Sequence, residues 1–84
     1  MKYKVVLSRQ AERFYSKLDE KTRNQLRESL IGLEINAFAG KRLHGDLKDY
    51  SSLRVGKLRV IYAVSEKDKT VLVVAIGPRK TVYK

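Results

Sequence analysis

The sequence predicts an α+β fold: one strand, a helical hairpin, then a three-stranded antiparallel meander, with the helices on one side of the sheet. Three observations predict it. Apolar residues recur at helical spacing between Ser8 and Leu33. From Tyr50 onward the texture changes to short apolar runs of strand length. Gly56-Lys57 separates two of those runs at the spacing of a tight hairpin.

The elements follow in order. Tyr3 to Leu7 reads as the first strand, because β-branched and aromatic residues dominate it. Ser8 is placed to cap a helix in which Ala11, Phe14, Tyr15 and Leu18 fall at i, i+3, i+4 and i+7, one face of a 3.6-residue period. Asp19 caps a second helix, with Glu20 in the first turn, where negative charge meets the positive end of the helix dipole. Leu26, Leu30 and Leu33 give that helix its apolar stripe and leave Lys21, Arg23 and Arg27 on the outer side. The segment 37–49, punctuated by Gly40 and Gly45, reads as a loop. Strands are expected from Tyr50 to Val55, Leu58 to Val64 and Thr70 to Ile76, the last an almost unbroken apolar run and therefore central. Gly77-Pro78 ends it, and the basic segment 79–84 follows.

Composition narrows the function. The 84 residues allow a single domain, spanning 1–84. A domain of that size shields only about 60% of its unfolded surface, so a bound partner helps to hold it. There is no cysteine to form a disulfide or a thiolate metal site. No apolar run approaches the ~18 residues of a membrane span, and the charged N-terminus does not read as a signal peptide, so a cytoplasmic protein is expected. Nineteen basic residues against nine acidic ones leave a net charge of +10, well above what solubility requires. Such an excess points to a polyanion or an acidic protein as partner.

A two-residue turn at Gly56-Lys57 fixes the pairing around it. Val55 then opposes Leu58, Arg54 opposes Arg59, and Leu53 opposes Val60. The apolar members share the face under the helices, and the two arginines share the other, with Cβ atoms about 5 Å apart. Like charges at that distance destabilise a sheet, so folding alone does not account for the pair. Simple alternation along the last strand puts Leu72, Val74 and Ile76 on the core face. Val73, Ala75, Gly77 and Arg79 then fall on the arginine face, where Ala63, Ala75 and Gly77 leave room. Three arginines converging on a surface of small residues form a clamp for phosphate, which a guanidinium can bind through two parallel hydrogen bonds. Basic residues nearby, namely Lys41, Arg42, His44, Lys48, Lys57 and Lys80, are the further contacts expected for such a polyanion.

The segment from Arg42 to Tyr62, with its Leu43-His44-Gly45 turn, Tyr50, Leu53-Arg54-Val55-Gly56 and Arg59-Val60-Ile61-Tyr62, resembles the core signature of the RelE/ParE family of bacterial and archaeal toxins. Arg79 and Tyr83 are similar to the arginine and terminal tyrosine of the family tail, and the order of elements matches over nearly the whole chain. The resemblance implies a toxin of a toxin–antitoxin pair, neutralised by a cognate antitoxin. RelE-type members cleave mRNA in the ribosomal A site; ParE-type members poison DNA gyrase. The resemblance places Arg54, Arg59, Arg79 and Tyr83 where RelE-like toxins carry catalytic basic residues and a terminal tyrosine. Two positions depart from the pattern. Ser52 stands where many relatives have a basic residue, and Pro78 stands where many have histidine, which leaves the general base unassigned.

The expected function is therefore a ribosome-dependent, metal-independent mRNA endonuclease that needs no cofactor. The alternatives are a gyrase-directed protein toxin without nuclease activity and a degenerate toxin that retains only antitoxin binding. Two-metal nucleases need clustered carboxylates. Here Asp46 and Asp49 share one loop and Glu66 and Asp68 one turn, with no further acid beside either pair.

Overall fold

Helix boundaries in this protein are set by side-chain caps. The structure, a computed structural model, describes residues 2–78, so the tail that carries Arg79, Lys80 and Tyr83 lies outside the described residues. Strand β1 (Lys4–Leu7) leads into helix α1 (Arg9–Ser16). The Ser8 hydroxyl accepts from the Ala11 N–H at the start of that helix. Helix α2 (Glu20–Ile35) starts where the Asp19 carboxylate accepts from the Thr22 N–H. That contact, with the Thr22 side chain, holds the Asp19 carboxyl below the usual carboxylate range. Both caps are the residues expected from sequence. Arg23 departs from expectation: it is half-buried and its guanidinium donates to the Ser16 carbonyl at 3.3 Å, tying α2 to the end of α1.

The remaining strands are β2 (Lys41–Arg42), β3 (Ser51–Val55), β4 (Leu58–Ser65) and β5 (Thr70–Pro78), in a five-stranded sheet of order β1-β5-β4-β3-β2. β1 runs parallel to β5, and the other pairs are antiparallel. The β3–β4 register is the expected one, with Arg54 opposite Arg59 and Leu53 opposite Val60. Gly56 has φ +59° while Lys57 is not among the positive-φ residues, the combination of a type II′ turn.

The loop expected over 37–49 contains more structure than that. Lys41 and Arg42 pair with Ser52 and Ser51 as an edge strand, and Gly45–Leu47 forms one 3-10 turn. A strand of two residues is too short to show alternation, and its partners Ser52 and Ser51 lie beyond an intervening loop and 3-10 turn, so local sequence carries no trace of it.

The core forms between the helices and one face of the sheet. Leu26, Leu30 and Leu33 of α2 and Ala11 of α1 pack with Val55, Val60, Tyr62, Val71, Val73 and Ile76. Here simple alternation along β5 fails. Val71 and Val73 are fully buried, whereas Leu72, expected in the core, is 40% exposed. Val73, expected on the arginine face, is in the core instead. The cause is a β-bulge. Ile61 pairs with Ala75 and Tyr62 with Val73, which leaves Val74 as an extra residue and resets the phase of the strand. Beyond it Ile76 points into the core and Gly77 opposes Arg59, as expected. The bulge is held from outside the sheet. The Ser8 hydroxyl donates to the Val74 carbonyl at 2.8 Å. The Gln10 side-chain amide donates to the Ile76 carbonyl and accepts from the Ile76 N–H. Among the described residues no helix is long and apolar enough to cross a membrane.

Candidate functional site

Arg54 and Arg59 reach their positions because the II′ turn fixes them as a cross-strand pair on the face away from the helices. Ser52, two residues before Arg54, shares that face, and β2 is laid against it through the Lys41–Ser52 pair. The result is a groove of about 760 Å³ lined by segment 39–44 on one side and by Ser52, Leu53, Arg54 and Arg59 on the other. Five expected site residues line this single groove: Lys41, Arg42, His44, Arg54 and Arg59. Among the described residues no carboxylate side chain is part of that lining.

Its wall depends on one buried phenol. Tyr62 is fully buried, and its hydroxyl accepts the Gly40 N–H at 2.9 Å. Burial pushes the Tyr62 phenol above its ordinary value, and the hydrogen bonds from Gly40 and Ser51 offset part of that rise. Gly40 admits no other residue. A Cβ there would lie 2.5 Å from the Tyr62 hydroxyl and 2.7 Å from the Ser52 carbonyl oxygen, and the second of these is backbone that cannot yield. Further along, Leu43 N–H donates to the Tyr50 carbonyl, and Arg42 Nε donates to the Lys48 carbonyl at 3.2 Å. Arg42 therefore braces the segment as well as lining the groove.

Arg54 is exposed and Arg59 half-buried. Arg54 has no carboxylate partner among the described residues, as the shortage of acids implied. Ser52 is 9% exposed, a nearly buried hydroxyl in place of a charge. His44 has extended backbone and no capping hydrogen bond. Lys48 and Lys57 are exposed and do not line the groove. Arg79, Lys80 and Tyr83 lie outside the described residues. Among those described, no three His, Asp or Glu side chains could together hold a metal ion.

Sequence reasoning overlooked Gly40, Tyr62 and Gln10. A glycine beside a basic pair is an ordinary loop signal, and Tyr62 read as one more core residue of a strand. Only the contact between them reveals their role.

Chemically, a groove lined by several cations suits a polyanion. Its guanidinium groups can hold a phosphodiester and offset charge that develops on it. The family model of the ParE toxin of type II toxin–antitoxin system, parDE, matches residues 5–83. No curated protein sequence matches the chain. Among solved structures, the chain is similar to one in the RelBE2 toxin–antitoxin complex from Mycobacterium tuberculosis. The two are 25% identical, with a TM-score of 0.86, and the match covers 94% of this chain and 100% of that one. It is also similar to a chain of the archaeal RelE–RelB complex from Pyrococcus horikoshii OT3, at 26% identity and TM-score 0.79, covering 98% and 100%. A chain of the intact Escherichia coli RelBE complex is 26% identical with TM-score 0.72, covering 90% and 95%.

Proposed function

The chain belongs to the RelE/ParE family of toxins of type II toxin–antitoxin systems, and from that premise we propose that it is a ribosome-dependent mRNA endonuclease of the cytoplasm that works without a metal. The observation that carries this reading is the groove, which brings Arg54, Arg59, Lys41, Arg42 and His44 together along one lining.

The reaction that suits it is attack by an RNA 2′-hydroxyl on the adjacent phosphorus. A bond forms from O2′ to phosphorus, and the bond from phosphorus to the 5′ oxygen breaks. One proton leaves the 2′-hydroxyl and one is delivered to the departing oxygen. Arg59 stabilises the added negative charge, with Arg79 from the tail as its proposed companion, and Arg54 orients the strand. Tyr83 stacks on a base, a contact worth about 1–3 kcal/mol. His44 lines the groove beside Arg54 and Arg59. A groove with so few proton-transfer groups relies on its host ribosome for positioning, so free RNA is a poor substrate.

A second reading has its own support: the matching family model is that of ParE, and Ser52 is uncharged. On that reading the protein binds DNA gyrase and performs no chemistry. The two separate in one experiment. Incubation with mRNA-programmed ribosomes, followed by mapping of new 5′ ends, shows A-site cleavage on the first reading. On the second, the ends are unchanged and gyrase supercoiling is inhibited.

A further inference from the structure

Strand β2 separates two cavities. The Arg54–Arg59 groove lies on the face away from the helices, and a pocket of about 350 Å³ lies on the other. Two residues of that pocket fix its side: Val64 packs against the core, and Ser51 pairs directly with the core residue Tyr62. Gly40 and Arg42 line both cavities. β2 is the outermost strand of the sheet, so a chain leaving the groove reaches the pocket by crossing β2 alone.

The pocket differs from the groove in chemistry. One wall is Phe38, 59% exposed and the only exposed aromatic side chain among the described residues. Its backbone is held on both sides. Ala37 before it is buried, the Phe38 N–H donates to the Asn36 side chain at 3.2 Å, and Gly40 beyond it is tied to the Tyr62 hydroxyl. The ring stands at 87° to that of Tyr3, with centroids 6.2 Å apart. Asp49 and Glu66, both exposed, add two carboxylates to the lining. An ionised carboxylate accepts hydrogen bonds and repels phosphate.

We infer that this pocket holds one unstacked base of the RNA strand whose phosphates lie in the groove, and that it favours a base with an amino group over uracil. The inference rests on the endonuclease reading for the presence of that strand. A fixed, exposed ring is a stacking platform for a base of any kind. The carboxylates keep the phosphate backbone out of the pocket and supply the selection. The cytosine amino group donates to a carboxylate, whereas uracil sets a carbonyl oxygen in the same place, with no proton between the two oxygens. Arg42 stands between the sites. Its Nε is committed to the Lys48 carbonyl, and the rest of its guanidinium is placed for the phosphate that joins the bound base to the strand.

The test uses two short single-stranded RNAs of equal length, oligocytidylate and oligouridylate, with affinity measured across a salt series. Wild type is expected to bind oligocytidylate more tightly. Phe38→Ala is expected to lose affinity for it by about 5–150-fold, the worth of one base stack, with the salt slope unchanged because no phosphate contact is removed. Phe38→Trp, which keeps a stacking face, restores binding. Asp49→Asn with Glu66→Gln is expected to abolish the preference between the two RNAs. Equal affinity of wild type and Phe38→Ala overturns the inference. So does a preference that survives loss of both carboxylates, or a basic peptide that loses affinity for Phe38→Ala while RNA does not, since the pocket would then serve a protein. Should thermal unfolding show that Phe38→Ala is not folded, Phe38→Trp and the carboxylate pair decide the matter alone. If ribosome-bound mRNA stays intact while the RNA preferences appear as expected, the endonuclease reading fails and the base pocket stands. If mRNA is cleaved but Phe38→Ala binds RNA like wild type, the pocket fails and the reading stands.

Discussion

At the scale of single residues, a few contacts maintain the groove. Removing the Tyr62 hydroxyl by Tyr62→Phe strands the Gly40 N–H, which costs about 1–3 kcal/mol for a buried donor. A fall in Tm of several degrees, with weaker RNA binding, is expected in thermal unfolding and titration. Gly40→Ala is expected to be worse, since the Ser52 carbonyl blocks the added carbon. Tyr62 also predicts a pH effect. Its folded-state value is raised, so the native protein holds a proton that the unfolded chain releases near pH ~10. Its contribution to stability is complete below that pH and is lost as pH rises through the folded value. Unfolding midpoints measured between neutral and strongly alkaline pH should fall more for wild type than for Tyr62→Phe; parallel curves contradict this. For catalysis, Arg59→Ala should reduce ribosomal mRNA cleavage by about 10²–10³, with Arg79→Ala alike and Lys21→Ala unaffected. Arg54, Arg59 and His44 were legible in the sequence because the hairpin turn fixes the pairing and histidine occurs once. Gly40 and Tyr62 were not legible, because their importance is a contact across 22 positions.

At the scale of elements, the hairpin sets two like charges side by side, and on the proposed function this is stability given up for a binding surface. Arg54 and Arg59 are direct cross-strand partners, and like charges so placed are unfavourable by a few tenths of a kcal/mol up to about 1 kcal/mol. Arg54→Thr is expected to raise the unfolding midpoint slightly while weakening RNA binding. A variant that loses both would show that Arg54 is structural. Both caps and both helices followed from sequence because their signals are local. β2 and the bulge at Val74 did not. Alternation across Thr70 to Ile76 assumes one residue per pleat, and the extra residue is imposed by Ser8 and Gln10 from α1. Gln10→Ala should release the strand beyond the bulge. Faster hydrogen exchange at the amides of Ile76 and Gly77 is the expected sign, and unchanged protection there would rule out the clamp.

At the scale of the whole molecule, excess charge and small size make the toxin dependent on partners. A ligand that binds only the folded state at 100 times its Kd adds about 2.7 kcal/mol, so a cognate antitoxin should raise the melting temperature with the logarithm of its concentration above Kd. An unchanged melting point in saturating antitoxin would contradict this. The sheet order has a consequence in time rather than in space. β5 lies between β1 and β4, yet among the described residues it is the last strand to be synthesised. The Ser8 contact with Val74 spans 66 positions, so the first strand has no strand partner until β5 has been made. Pairings that distant close late and slowly. A ribosome making this protein therefore carries a nascent chain whose five-stranded sheet cannot close until β5 has been made.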